Sequence, residues 1–165
     1  MLAATTTDIK AFMNHFLTGT EFDRFLLCEA SIKTGATYII DGHINKEFYD
    51  TDDEHMDSHR IYQYWSACRS VAFQIIKGSR PPLAMKIVLM LAPEQMEDFL
   101  QKYHILIPSE QIAGLYLNIR YEHGTLNLSA GTALTIFTLD KTVEHMWDEM
   151  LSQFFQRIGI TLMTD

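Results

Sequence analysis

The stretch "YWSACRSVAFQII" at 64–76 and the stretch "MWDEMLSQFFQRI" at 146–158 lie 82 residues apart and agree at five positions. The matches are Trp65/Trp147, Ser70/Ser152, Phe73/Phe155, Gln74/Gln156 and Ile76/Ile158. Average residue usage gives roughly one match by chance over such a stretch. The correspondence continues upstream, where "SIKTGATYIIDG" (31–42) lies over "RYEHGTLNLSAG" (120–131), so that Gly35 meets Gly124 and Gly42 meets Gly131. Further back, Ile9, Phe12, Met13 and Phe16 lie over Met96, Phe99, Leu100 and Tyr103. A unit written twice has to bury its two copies against each other, which limits the chain to a paired architecture.

The periods inside each copy describe the unit. Ile9, Phe12, Met13, Phe16 and Leu17 follow the i, i+3, i+4, i+7 spacing of an amphipathic helix, closed by Gly19. Met96, Phe99, Leu100 and Tyr103 repeat that spacing behind Pro93, which suits a first helical turn. The segments "MLAAT" and "MKIVLML" ahead of them read as strands. Leu115, Leu117, Ile119 and Tyr121 alternate with Tyr116, Asn118 and Arg120, the pattern of a half-buried strand. The two-residue turn His123-Gly124 then sets Ile119 opposite Leu128 and Arg120 opposite Asn127. The matching turn Thr34-Gly35 predicts Ala30 opposite Ile39. A third strand is predicted near 43–49 and again near 132–139, followed by the long helices that carry Trp65 and Trp147. Each half reads β-α-β-β-β-α, with halves 1–77 and 83–158 joined by the linker 78–82 in one domain spanning 1–165.

A lone half of roughly 80 residues buries little and leaves a sheet edge open. Joining two halves edge to edge gives an α+β fold, one antiparallel sheet with helices packed on one face. This order of elements resembles the duplicated TATA-binding-protein-like architecture and, less closely, half of a sliding-clamp ring. The resemblance is one of topology and brings no site residues with it. In sequence, "DGHINKEFYDTDDE", "IKGSRPPLAMKIVL", "LYLNIRYEHGTL" and "TLDKTVEHMWDEM" look like an uncharacterised family of clostridial proteins, a domain of unknown function. That resemblance implies a bacterial, cytoplasmic, single-domain protein and offers no functional residues to carry over.

Composition excludes several classes. With 165 residues, 47% apolar and 21% charged, the chain suits a globular domain with a sizeable core. No apolar run approaches the roughly 20 residues of a membrane-spanning helix. The start "MLAATTTDIK" lacks the basic and apolar regions of a signal peptide, so a cytoplasmic location and no membrane partner are expected. A net charge of -8 speaks against nucleic acid as a partner, and Lys77, Arg80 and Lys86 read as a thinly basic linker. Cys28 and Cys68 lie far apart without a C-x-x-C spacing and read as small buried thiols. The glycine-rich phosphate and dinucleotide motifs and the G-x-S-x-G elbow are absent, so no cofactor is expected. His15, His104, His123 and His145 have no nucleophile at a recognisable spacing.

Two candidate sites remain. The stretch "YDTDDEHMDSHR" (49–60) holds Asp50, Asp52, Asp53, Glu54, His55, Asp57 and His59, and reads first as a solvated acidic loop. An EF-hand fails because His55 and Ile61 stand where Gly and Glu are required. A helical-zinc motif fails because Met56, not Glu, follows His55. The alternative is a metal site of His55, Asp57 and His59 in a small metal-dependent enzyme. The second candidate is the helix-free sheet face, expected to carry Glu29, Ser31, Tyr116, Asn118, Arg120, Asn127 and Ser129. Leu27, Tyr38 and Ile40 are expected on that same face in the first half. Mixed aromatic and polar residues there suit recognition of a protein, a small molecule or a second copy of the chain. The sequence therefore reads as a non-enzymatic binding domain that works through its open sheet face.

Overall fold

Alternation along the strands decides which side of the sheet the helices cover. In the computed structural model, which describes residues 1–50 and 60–164, the segment Ala84–Leu91 buries Met85, Ile87, Leu89 and Leu91 and leaves Lys86 exposed. The same period runs through Ile112–Glu122, where Leu115, Leu117, Ile119 and Tyr121 are buried. The elements in chain order are β1 (Ala3–Thr6), α1 (Ile9–Leu17), β2 (Phe25–Lys33), β3 (Thr37–Asp41), β4 (Gln63–Tyr64) and α2 (Trp65–Ile76). They continue as β5 (Ala84–Leu91), α3 (Pro93–Lys102), β6 (Ile112–Glu122), β7 (Thr125–Leu134), α4 (Thr142–Arg157) and β8 (Met163–Thr164). All pairings are antiparallel, in the order β3-β2-β5-β6-β7-β1-β8, with β4 beside the start of β2. The chain is thus α+β, one antiparallel sheet and four helices among the described residues.

The inward residues of the strands share one core with all four helices. Phe12 and Phe16 of α1, Trp65 and Ala72 of α2, Met96 and Phe99 of α3, and Trp147, Leu151 and Phe155 of α4 are buried together with Ile87, Leu117 and Leu128. Aromatic rings tie the two ends of the chain: Phe22 meets Phe154 edge-on at 5.1 Å and Phe12 stacks with Phe155 at 6.4 Å. Such pairs add about 0.5–1.5 kcal/mol each beyond the area they bury. Both tryptophans are fully buried and satisfy their indole N–H on a backbone carbonyl at 2.9 Å. Trp65 donates to Phe16 and stacks on its ring, whereas Trp147 donates to Tyr116 of β6 and meets the edges of Phe25 and Phe99.

The two hairpins differ in their turns. His123 and Gly124, with φ of 51° and 75°, form the two-residue turn between β6 and β7, and Ile119 pairs with Leu128 and Arg120 with Asn127 as expected. Between β2 and β3 no positive φ occurs at Thr34 or Gly35, and the loop takes three residues, 34–36, with the Thr34 N–H donating to the Ala36 carbonyl. Ala30 therefore pairs with Ile40 and not with Ile39. A second shift lies in β2, where Leu27 pairs with Leu89 but Glu29 pairs with Val88, leaving Cys28 as an extra, bulged residue.

The duplication is not confirmed by this topology. The predicted third strands are missing: 46–48 form a short 3-10 turn, and β7 ends at Leu134 without a further strand before α4. β5 lies beside β6 of its own half, whereas β1 lies across the sheet between β7 and β8, with three strands between it and β2. The glycine pair Gly42/Gly131 is also unlike in its surroundings. A Cβ at Gly42 would lie 1.7 Å from the Leu27 carbonyl oxygen, whereas one at Gly131 would meet nothing closer than 3.5 Å. Gly42→Ala is accordingly expected to cost roughly 2 kcal/mol or more in chemical denaturation, since backbone has to move to admit it. Gly35→Ala, with open space around the new methyl, is expected to stay within about 0.5 kcal/mol of the parent.

Candidate functional site

Cross-strand partners share a face, so the pairing registers lay out the helix-free side residue by residue. Ser31, Lys86, Arg120, Asn127 and Thr5 form one continuous row across β2, β5, β6, β7 and β1. The next row is Glu29, Val88, Asn118, Ser129 and Ala3. Beyond it come Leu26, Met90, Tyr116 and Gly131, and on the other side of the first row come Lys33, Ala84, Glu122 and Thr125. Successive rows stand about 7 Å apart, two residues along a strand. All seven residues expected on this face lie on it: Ser31, Arg120 and Asn127 in one row, Glu29, Asn118 and Ser129 in the next, and Tyr116 in the third.

The apolar residues assigned to this face from the first half do not belong there. The Cys28 bulge reverses the parity of β2, so Leu27 is fully buried under the helices. The three-residue loop shifts β3 by one position, so Tyr38 pairs with Ile32 and Ile40 with Ala30, both partners being core residues. Leu26 and Ile39 take the open side instead. Leu26 is buried there, while Ile39 is 76% exposed on the edge strand.

Lys86 is the residue the linker reading missed. It stands in the middle of β5, directly opposite Arg120, with Lys33 diagonal to it on β2. The signal was available in "AMKIVLML", where a lysine occupies an outward position of an otherwise apolar strand. A cleft of about 400 Å³ opens between Ser31, Lys33, Thr37, Lys86, Arg120 and Glu122. A second, of about 370 Å³, lies between Lys86, Asn118, Arg120, Asn127 and Ser129. Lys86 and Arg120 form the wall between them. The Glu29 carboxylate lies 3.8 Å from the Lys86 ammonium, with more than half of each side chain exposed, so this contact restrains Lys86 weakly.

The other end of the face is aromatic. The Tyr116 ring lies across Gly114, where a Cβ would come within 2.6 Å of the ring, and its own Cβ lies 3.5 Å from the position a Cβ would take at Gly131. Glycine at 114 is what lets the ring lie down on the sheet. Burial, and behind it the Cys28 thiol, pushes the Tyr116 hydroxyl above the ordinary phenol range. Tyr62 is raised in the same way, by burial first and then by Cys28, Tyr116, Asp41 and Glu29. Both phenols are therefore neutral hydrogen-bonding groups at neutral pH.

Cys28 sits at this end, 8% exposed, and burial pushes its thiol up to about 12, with Glu29 adding to the rise. Burial raises the Cys68 thiol as well. Held that high, the Cys28 thiol stays protonated at pH 8, and the protonated form is not the nucleophile. The four histidines set aside from the sequence stay apart: His15 lies 2.8 Å from Glu21, while His104 and His123 take left-handed backbone at chain reversals. His145 stands in the first turns of α4. Among the described residues no three His, Cys, Asp or Glu side chains are grouped to hold a metal ion. The alternative metal ligands His55, Asp57 and His59 lie outside the described residues. No helix among the described residues is long and apolar enough to cross a membrane. Iodoacetamide labelling at pH 8, read by peptide mass spectrometry, is expected to leave Cys28 unmodified in the folded protein and to modify it on unfolding. Prompt labelling of the native chain would show a reactive thiol.

A family model described as a family of unknown function (DUF5721) matches residues 15–162. The match speaks neither to a clostridial source nor to a TATA-binding-protein-like topology. No curated protein and no solved structure matches the chain.

Proposed function

Since the chain belongs to the DUF5721 family, whose function is unknown, we propose a role from its own geometry: a non-enzymatic binding domain that receives its ligand on the open sheet face. The observation that supports this reading is the meeting, on one helix-free face, of a cationic row and an aromatic ledge. Arg120 and Tyr116 stand four residues apart on β6, about 13 Å along the strand, with Asn118 and Ser129 between them. Arginine and tyrosine are enriched where proteins recognise partners, because each offers fixed polar geometry on a large apolar body. Clefts of a few hundred cubic ångströms match the space a small soluble molecule fills, so the occupant proposed is a small molecule, with a protein or a second copy as outcomes of the test. The working unit is proposed to be the whole chain, 1–165, acting in the cytoplasm. The net charge of -8 argues against duplex nucleic acid as the occupant.

Native mass spectrometry of the gently purified protein tests this. A bound molecule is expected in the parent and lost in Tyr116→Glu, while the variant's circular dichroism shows the same fold. Light scattering reports the other occupant: a dimer that becomes a folded monomer in Tyr116→Glu would assign the face to a second copy. Variants at Tyr116 and Arg120 that retain every interaction of the parent would reduce the face to an ordinary solvated sheet.

A further inference from the structure

We infer that the row Ser31–Lys86–Arg120–Asn127 is a binding site for the phosphate group of a small soluble molecule. The inference rests on the open-face reading and names the chemistry of its occupant. Lys86 and Arg120 are direct cross-strand partners, so their charged side chains rise from adjacent points of the sheet. Like charges directly opposite one another destabilise an antiparallel pair. Nothing in the folding of β5 calls for this, since Ala84 and Val88 occupy the neighbouring outward positions without charge. Lys33 adds a third cation at the rim of the larger cleft, against one carboxylate, Glu122, in its lining. The nearest counter-charge to Lys86, Glu29, holds it only loosely at 3.8 Å. In a chain with 21 acidic and 13 basic residues, three converging cations are a local reversal of the overall sign.

The donors fit a tetrahedral oxyanion better than a planar one. The guanidinium of Arg120 can grip two oxygens in parallel, and Lys86 can meet a third as a point charge. Ser31 and Asn127 flank the pair on either side in the same row and carry neutral donors. Occupation of the row by a dianion would turn the repulsion between Lys86 and Arg120 into shared attraction, so binding and stability are coupled there.

Amide-resolved NMR titration tests the site, with inorganic phosphate, glycerol 3-phosphate and acetate as probes in separate arms at low salt. Phosphate is expected to shift the amides of Ser31, Lys86, Arg120 and Asn127 saturably, with acetate far weaker. Lys86→Gln and Arg120→Gln, both at exposed positions, are each expected to weaken phosphate at least about tenfold. Without phosphate these variants should melt at or above the parent's temperature, and with phosphate the parent should gain more than either variant. A tighter response to glycerol 3-phosphate than to inorganic phosphate assigns the group to a phosphomonoester, and the reverse order assigns it to free phosphate. No saturable shift by about 20 mM, an equal response to acetate, or unchanged affinity in both variants would overturn the site. If Tyr116→Glu still removes a co-purified molecule while phosphate leaves the row unmoved, the phosphate assignment falls and the open-face reading stands. Saturable phosphate binding in a protein whose Tyr116 variant loses nothing would leave the row intact and remove the broader face.

Discussion

The antiparallel ladder between β2 and β5 is the contact on which the rest of the molecule depends. It runs from Phe25 opposite Leu91 to Lys33 opposite Ala84 and carries the sheet from the N-terminal strands into the C-terminal meander. β2 enters this ladder with its apolar residues on two different parities, Phe25 and Leu27 before Cys28 and Ala30 and Ile32 after it. A straight strand would put one of these pairs into water. One bulged residue resolves the conflict: all four side chains are buried on the helix side, and Glu29, Ser31 and Lys33 remain outside. Burying Phe25 and Leu27 is worth about 1.5–3 kcal/mol each, well above the cost of interrupting one step of the ladder.

The same ladder composes the open face. Lys86 is flanked by Ser31 on one side and Arg120 on the other because β5 is the strand shared by β2 and β6. The cationic row thus draws on both ends of the chain, while the aromatic ledge is built locally on β6 and β7 from Gly114, Tyr116 and Gly131. A rigid sheet with side chains in fixed rows suits recognition, since little has to be ordered when a ligand arrives.

Where the sequence could be read directly, local chemistry and global packing agreed. "YEHGTL" carries a turn that tolerates two positive φ values between strands of matching alternation, and its register follows residue by residue. The four helices announce themselves by apolar spacing and, for Pro93, by a residue suited to the first turn. The first hairpin was not legible in the same way. Gly35 invites a two-residue turn, but the chain uses Ala36 as well, and one position of slip moves Tyr38 and Ile40 to the other side. The Cys28 bulge does leave a mark, the switch of apolar parity from Phe25 and Leu27 to Ala30 and Ile32, which a strict two-residue alternation passes over. The shared tryptophans had implied equivalent strands around them. They share depth and a satisfied indole, while the strands beside them follow a different order.

The position of β1 has a consequence for the order of events during synthesis. Ala3–Thr6 is synthesised ahead of the strands it pairs with, which are Leu126–Ser129 on one side and Met163–Thr164 on the other. β2 likewise waits for β5 before its open edge closes. The nascent chain therefore carries an unpaired β1 and an unfinished aromatic core until residues 126–129 and Phe154 and Phe155 have emerged. Pairings so distant in sequence belong to the slow range of folding, roughly milliseconds to seconds, because loop closure precedes any gain from contact. β1, made before its partners, is thus among the last strands to be placed, and until then its edge is open to pairing with other chains.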